Sequence, residues 1–144
     1  MHRRPPLGNG RRLAIVGAVL LIVGCLLPWF ALGGSGALPP VVLKGWPDGS
    51  GVLSFLAGLG TLALVALPYA SGRPVGVDRA LAFAILAILA IVGVALWIPT
   101  RVEILDAPEG LLPDRAYGFW VAALGAIVLA RAAFDINREP PRDA

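Results

Sequence analysis

Chemically versatile side chains are scarce in this sequence of 144 residues. It has one cysteine, Cys25, and one histidine, His2. A single cysteine excludes an intramolecular disulfide. A structural zinc site needs four Cys, His, Asp or Glu ligands, and thiol–imidazole catalysis needs both partners in one folded site, so neither is expected. Charge is thin as well. Asp, Glu, Lys and Arg make up 15% of the chain, against about 25% in a soluble domain. Lysine occurs only at Lys44, while arginine is abundant, as are Ala, Gly and Pro, a composition that suggests a GC-rich bacterial genome.

What fills the chain instead is apolar. Hydrophobic residues account for 58%, there are 18 glycines, and the mean hydropathy is +0.81. These values exclude a disordered chain and a disulfide scaffold and argue strongly against a soluble globular domain. They predict an integral membrane protein.

Four long apolar stretches carry the prediction. Residues 13–32, 52–70 and 81–98 contain no charge, and 116–134 contains only Arg131, near its end, where a long side chain can reach the headgroups. A helix of about 20 residues spans the roughly 30 Å of a bilayer's hydrocarbon. The expected fold is therefore an all-α four-helix transmembrane bundle, one domain over residues 1–144, with tails at 1–12 and 135–144. Short connections make consecutive spans antiparallel neighbours. Asp48 or Ser50 is placed to cap the second helix and Asp114 the fourth.

Orientation follows from the basic residues. Arg3, Arg4, Arg11, Arg12, Arg73, Arg79, Arg131, Arg138 and Arg142 fall on the side of the tails; Lys44, Arg101 and Arg115 fall on the other. Both termini are expected in the cytoplasm and the protein in a bacterial inner membrane as a multi-pass species. This topology also accounts for the formal charge of +3 and pI of about 9.8 without nucleic acid.

Two loop segments, Val41 to Trp46 and Thr100 to Leu105, have extended character, the second alternating polar and apolar residues. They are placed to pair as a small extracytoplasmic sheet; irregular loop is the alternative. Trp29, Trp46, Trp97 and Trp120 gather toward the same outer face. They form either an ordinary interfacial aromatic belt or a platform for a partner or lipid.

Helix 4 carries Gly118, Ala122, Ala126 and Ala130 at spacing four, a face for helix packing or for a partner. Helix 3 has Ala80, Ala84 and Ala87, and helix 2 has Ser54 and Gly58. The segment Ile22-Val23-Gly24-Cys25 has the look of a lipoprotein cleavage site, but the apolar run continues to Leu32, so a spanning helix is expected. Asp48, Asp106, Glu109 and Asp114 lack the spacing of a calcium loop and are expected to be solvated. Within the spans only Ser54 and Thr61 are polar, apart from Arg131 at an edge, where ion-coupled carriers place charge at depth.

Leu27-Pro28-Trp29, followed by Gly45-Trp46 and Asp48-Gly49, resembles a pattern in uncharacterised small bacterial four-span membrane proteins. The resemblance covers the first half of the chain and implies an architecture without an activity. The layout is also loosely similar to claudin-like bundles, although the first loop is far shorter and the paired loop cysteines are missing, so no paracellular role is implied.

The resulting expectation is a non-catalytic protein without cofactor or metal, an accessory, assembly or interaction subunit whose partners are the lipid bilayer and other membrane subunits or further copies of itself. A lipid or hydrophobic-ligand binder or passive conduit, and a membrane sensor or regulator acting through the basic N-terminal tail, stand as alternatives.

Overall fold

The computed structural model describes residues 8–32, 41–46, 51–71, 79–98 and 117–138. Helix α1 covers Asn9–Leu26, strand β1 Pro28–Leu32, strand β2 Val41–Lys44, and helices α2, α3 and α4 cover Gly51–Ser71, Arg79–Ala95 and Tyr117–Arg138. Three of the helices, α1, α2 and α4, are long and apolar enough to cross a membrane; α3 is a shorter apolar helix.

Helix 1 ends six residues earlier than the apolar run suggests. Proline at position 28 has no N–H to donate and disfavours helical backbone at the residue before it. Leu27 is accordingly extended, with φ −79° and ψ 160°. The chain then enters β1, which pairs antiparallel with β2: Phe30 lies opposite Leu43, Ala31 opposite Val42 and Leu32 opposite Val41. The strand expected at Val41 is present, but its partner is the segment after Pro28, which the sequence reading had assigned to the helix. Residues 100–105, the expected partner, lie outside the described residues, as do Asp48, Ser50, Asp106, Glu109 and Asp114.

The helices form a closed ring in which each packs on its neighbours in sequence and α4 returns to α1. Neighbours are antiparallel. Gly10 faces Ile136, Gly17 faces Leu129 and Gly24 faces Ala122, so the α1–α4 register advances seven residues at a time on both helices. A seven-residue repeat keeps one stripe facing its partner when two helices wrap with a left-handed twist. The stripe is made of backbone as much as side chain. A Cβ on Gly17 would lie 2.8 Å from the Leu129 backbone nitrogen and 3.0 Å from the Gly125 carbonyl oxygen. Glycine is required there by the closeness of the two main chains, the means by which helices associate where hydrocarbon removes the usual hydrophobic drive.

Large apolar side chains point outward around the ring. Val19 and Val23 on α1, Leu56 and Leu59 on α2, Ile88 and Ile91 on α3, and Leu124 and Ile127 on α4 are all exposed, while the centre is filled by Ala14, Ala18, Leu21, Ala57, Ala90, Ala126 and Leu129. This is the reverse of a water-soluble bundle, where the largest apolar groups turn inward. Three apolar helices with such a surface are consistent with a multi-pass membrane protein.

α3 is only 17 residues long. Its apolar course continues through a tighter last turn, in which Trp97 N–H donates to the Val94 carbonyl (3.3 Å) and Ile98 N–H to the Ala95 carbonyl (3.1 Å). Pro68 lies inside α2 close to its end, where a lost backbone hydrogen bond is best tolerated.

Candidate functional site

Two places in the fold gather unusual side chains: the aromatic cap where the strands meet the bundle, and the sides of α3.

The cap is built on the C-terminal end of α1. The last four carbonyls of a helix have no partners within it. Here the Val23 carbonyl accepts from Leu27 N–H (3.1 Å), the Gly24 carbonyl from Trp29 Nε1 (2.9 Å) and the Cys25 carbonyl from Trp46 N–H (2.9 Å). The pairing skips Trp29, because Pro28 lies opposite Lys44 while Phe30 lies opposite Leu43. Such a bulge re-aims a side chain, and Trp29 is 1% exposed. Its indole meets Trp97 edge-on at 6.1 Å and Phe119 edge-on at 5.7 Å. Trp97 and Phe119 lie 4.6 Å apart, and Phe119 continues to Trp120 at 5.4 Å. Gly45 lies flat against the Trp29 ring: a Cβ there would come within 2.6 Å of Nε1. Cys25 is buried beneath, with its thiol donating to the Gly51 carbonyl at 3.4 Å.

The four tryptophans therefore divide. Trp29 is interior and ties the strands to α3 and α4. Trp97 is half-buried beside it. Trp46 packs on Phe55 at 4.5 Å and remains partly exposed, and Trp120 is exposed, next to exposed Tyr117. Among the described residues, the aromatic side chains that the cap presents to the outside are Trp46, Tyr117 and Trp120.

On helix 4, Gly118, Ala122 and Ala126 are buried and Ala130 is half-buried. Gly118 and Ala122 lie against α1, as does Gly125, which spacing four had left out. The α1 side of this contact, Gly10, Gly17 and Gly24, was also missed. Its signal was present as glycine at every seventh position.

The polar groups at depth are satisfied internally. Ser54 Oγ donates to the Ala90 carbonyl across α2 and α3 at 3.0 Å, and Thr61 Oγ1 donates to the Ala57 carbonyl one turn back at 2.8 Å. Both are fully buried. Among the described residues no three His, Cys, Asp or Glu side chains come together.

Open grooves lie on both sides of α3, although its backbone closes on α2 at Gly93, where a Cβ would lie 2.7 Å from the Ser54 nitrogen. Between α2 and α3 a groove of about 420 Å³ is lined by Gly60, Ala63, Leu64, Ala82, Ile85 and Leu86. Between α3 and α4 a groove of about 450 Å³ is lined by Ala80, Ala84, Ala130, Ala133, Phe134 and Asn137. Between α3 and α4 the cause is side-chain size: the facing residues are mostly alanines, too short to fill the gap. Two arginines stand over Phe134, Arg138 at 4.0 Å and Arg131 at 5.9 Å from the ring centroid, and Arg131 also pairs with Asp135 at 3.2 Å.

Comparison of the chain with protein-family models, with curated proteins and with solved structures finds no match.

Proposed function

We propose that this chain is a four-span integral membrane protein of a bacterial inner membrane, with both termini cytoplasmic, and that it acts without catalysis as an accessory or assembly subunit of a larger membrane complex. The observation that carries this reading is the contrast between its two surfaces. Inward, small side chains fill the bundle and the two hydroxyls at depth are spent on main-chain carbonyls. Outward, α3 presents Leu81, Ile85, Ile88, Leu89 and Val92 with open grooves on either side. Helices associate in lipid through close packing, and α3 is the element with the most surface left to pack.

The fourth crossing is α3 itself. Its 17 residues extend about 25 Å, and the turn through Ile98 brings it close to hydrocarbon thickness. The orientation is supported by Arg11, Arg12, Arg79, Arg131 and Arg138 toward the end of the ring where α1 begins and α4 ends, with Lys44 at the other.

The test is photo-crosslinking in native membranes from Ile88 on α3 and, as a control, from Val19 on α1, followed by purification in mild detergent. The reading expects one stoichiometric adduct from Ile88 and little from Val19. A monodisperse monomer with no adduct from either position would overturn it.

A further inference from the structure

We propose that the groove between α3 and α4 is a binding site for one anionic phospholipid, its acyl chain lying against Ala84 and Ala130 and its phosphate held by Arg131 and Arg138. The proposal rests on the membrane-spanning reading and goes beyond it in naming a ligand class and a site.

Three features converge. First, the groove suits hydrocarbon along most of its length: its walls are mainly the alanines of α3 and α4, with Leu81 among them. Second, its character changes at one end. Ala80 lies in the first turn of α3, and Phe134 and Asn137 belong to the last turns of α4, so the groove runs from the arginine-rich end of the bundle toward the bilayer centre. A phospholipid has the same polarity, with charge at the surface and chain at depth. Third, the charge at that end suits an anion. Arg138 and Arg131 both stand over the Phe134 ring, which itself lines the groove, so two guanidinium groups are held at its mouth. Arginine binds phosphate through a planar fork of donors. Asp135 occupies one nitrogen of Arg131 at 3.2 Å, leaving its other donors and all of Arg138's without an acidic partner among the described residues. The groove between α2 and α3 lacks this feature: it is apolar throughout, and nothing in its lining distinguishes one lipid from another.

The experiment reconstitutes the full chain into phosphatidylcholine vesicles carrying either spin-labelled phosphatidylglycerol or spin-labelled phosphatidylcholine, and reads the motionally restricted lipid by electron paramagnetic resonance. The wild type should restrict phosphatidylglycerol in preference to phosphatidylcholine. Arg131→Gln with Arg138→Gln should lose that preference, by about fivefold for each arginine. Arg11→Gln with Arg12→Gln, which removes the same charge from the same end but away from the groove, should retain it. Ala84→Leu, which fills the groove, should release both labelled lipids, with burial of Cys25 confirming that the variant is folded. Glycerol phosphate in solution should not compete.

Equal preference in the two arginine double variants would overturn the proposal, since the selectivity would then belong to the charged end as a whole. So would displacement by glycerol phosphate, or an unchanged spectrum for Ala84→Leu. Wild-type protein that floats with vesicles but shows no preference overturns this proposal alone; protein that does not float overturns the membrane-spanning reading with it.

Discussion

The seam between α1 and α4 and the flank between α3 and α4 are both made from small residues and behave in opposite ways. At the seam, glycines recur every seven residues on both helices, and the main chains approach until no Cβ fits. At the α3–α4 flank, alanines recur on both helices with no glycine in the lining, and a groove remains. Small residues alone do not bring helices together. They do so where their period matches the wrapping of the pair, so that every turn adds another contact. Helices α1 and α4 thus form the closely packed half of the molecule, and α3 belongs to the half with surface to spare.

Trp29 joins the two halves, and its removal is expected to have the widest effect. Trp29→Ala should destabilise the bundle by about 3–5 kcal/mol, the range for deleting a buried aromatic. Trp29→Phe should recover part of the loss, lacking the bond to the Gly24 carbonyl and the packing of the second ring. Reversible unfolding in mixed micelles, followed by modification of the buried Cys25 thiol, measures both.

Next comes the seam. Gly17→Leu forces a side chain into the α4 backbone, where no rotamer relieves the overlap, and should cost about 3 kcal/mol or more. Gly60→Ala, on the flank of α3, meets only the movable end of Leu86 at 3.0 Å and should stay within about 1 kcal/mol in the same assay. Equal effects at the two positions would erase the distinction between the halves.

The α2–α3 contact rests partly on the bond from Ser54 to the Ala90 carbonyl. Ser54→Ala should cost about 0.6 kcal/mol, the usual worth of such bonds between membrane helices, and not more than about 1.7. The smallest change is expected for Ala84→Leu, which enters an open groove: its unfolding midpoint should move by less than the equivalent of about 0.5 kcal/mol.

Much of the helical layout could be read from the residues, because a run of 18 or more uncharged apolar positions has few other uses. The small-residue stripe on helix 4 was equally visible. Its neighbour was not, since a stripe shows that something comes close without saying what. The end of helix 1 went unrecognised for a related reason. Residues Pro28 to Leu32 are apolar throughout, and a continuous apolar run does not distinguish strand from helix. Only Pro28 marked the change, and at a helix end it also fits an interfacial position. Trp29 was assigned to an outer surface because tryptophan favours interfaces; the bulge that turns it inward depends on pairing with a segment twelve or more residues away. The grooves beside α3 depend on how far backbones stand apart, which no spacing of alanines encodes.

The account as a whole requires that Ile88 and Ile127, exposed on the fold, are shielded from water in the membrane, by hydrocarbon or by a subunit packed on α3. In a Cys25→Ala background, Ile88→Cys, Ile127→Cys and Arg12→Cys can each be treated in native membranes, opened to expose both faces, with a water-soluble, membrane-impermeant maleimide. Arg12→Cys should label, and the other two should not until the protein is denatured. Labelling of Ile88→Cys as fast as Arg12→Cys would show that water surrounds the bundle, and would contradict the account.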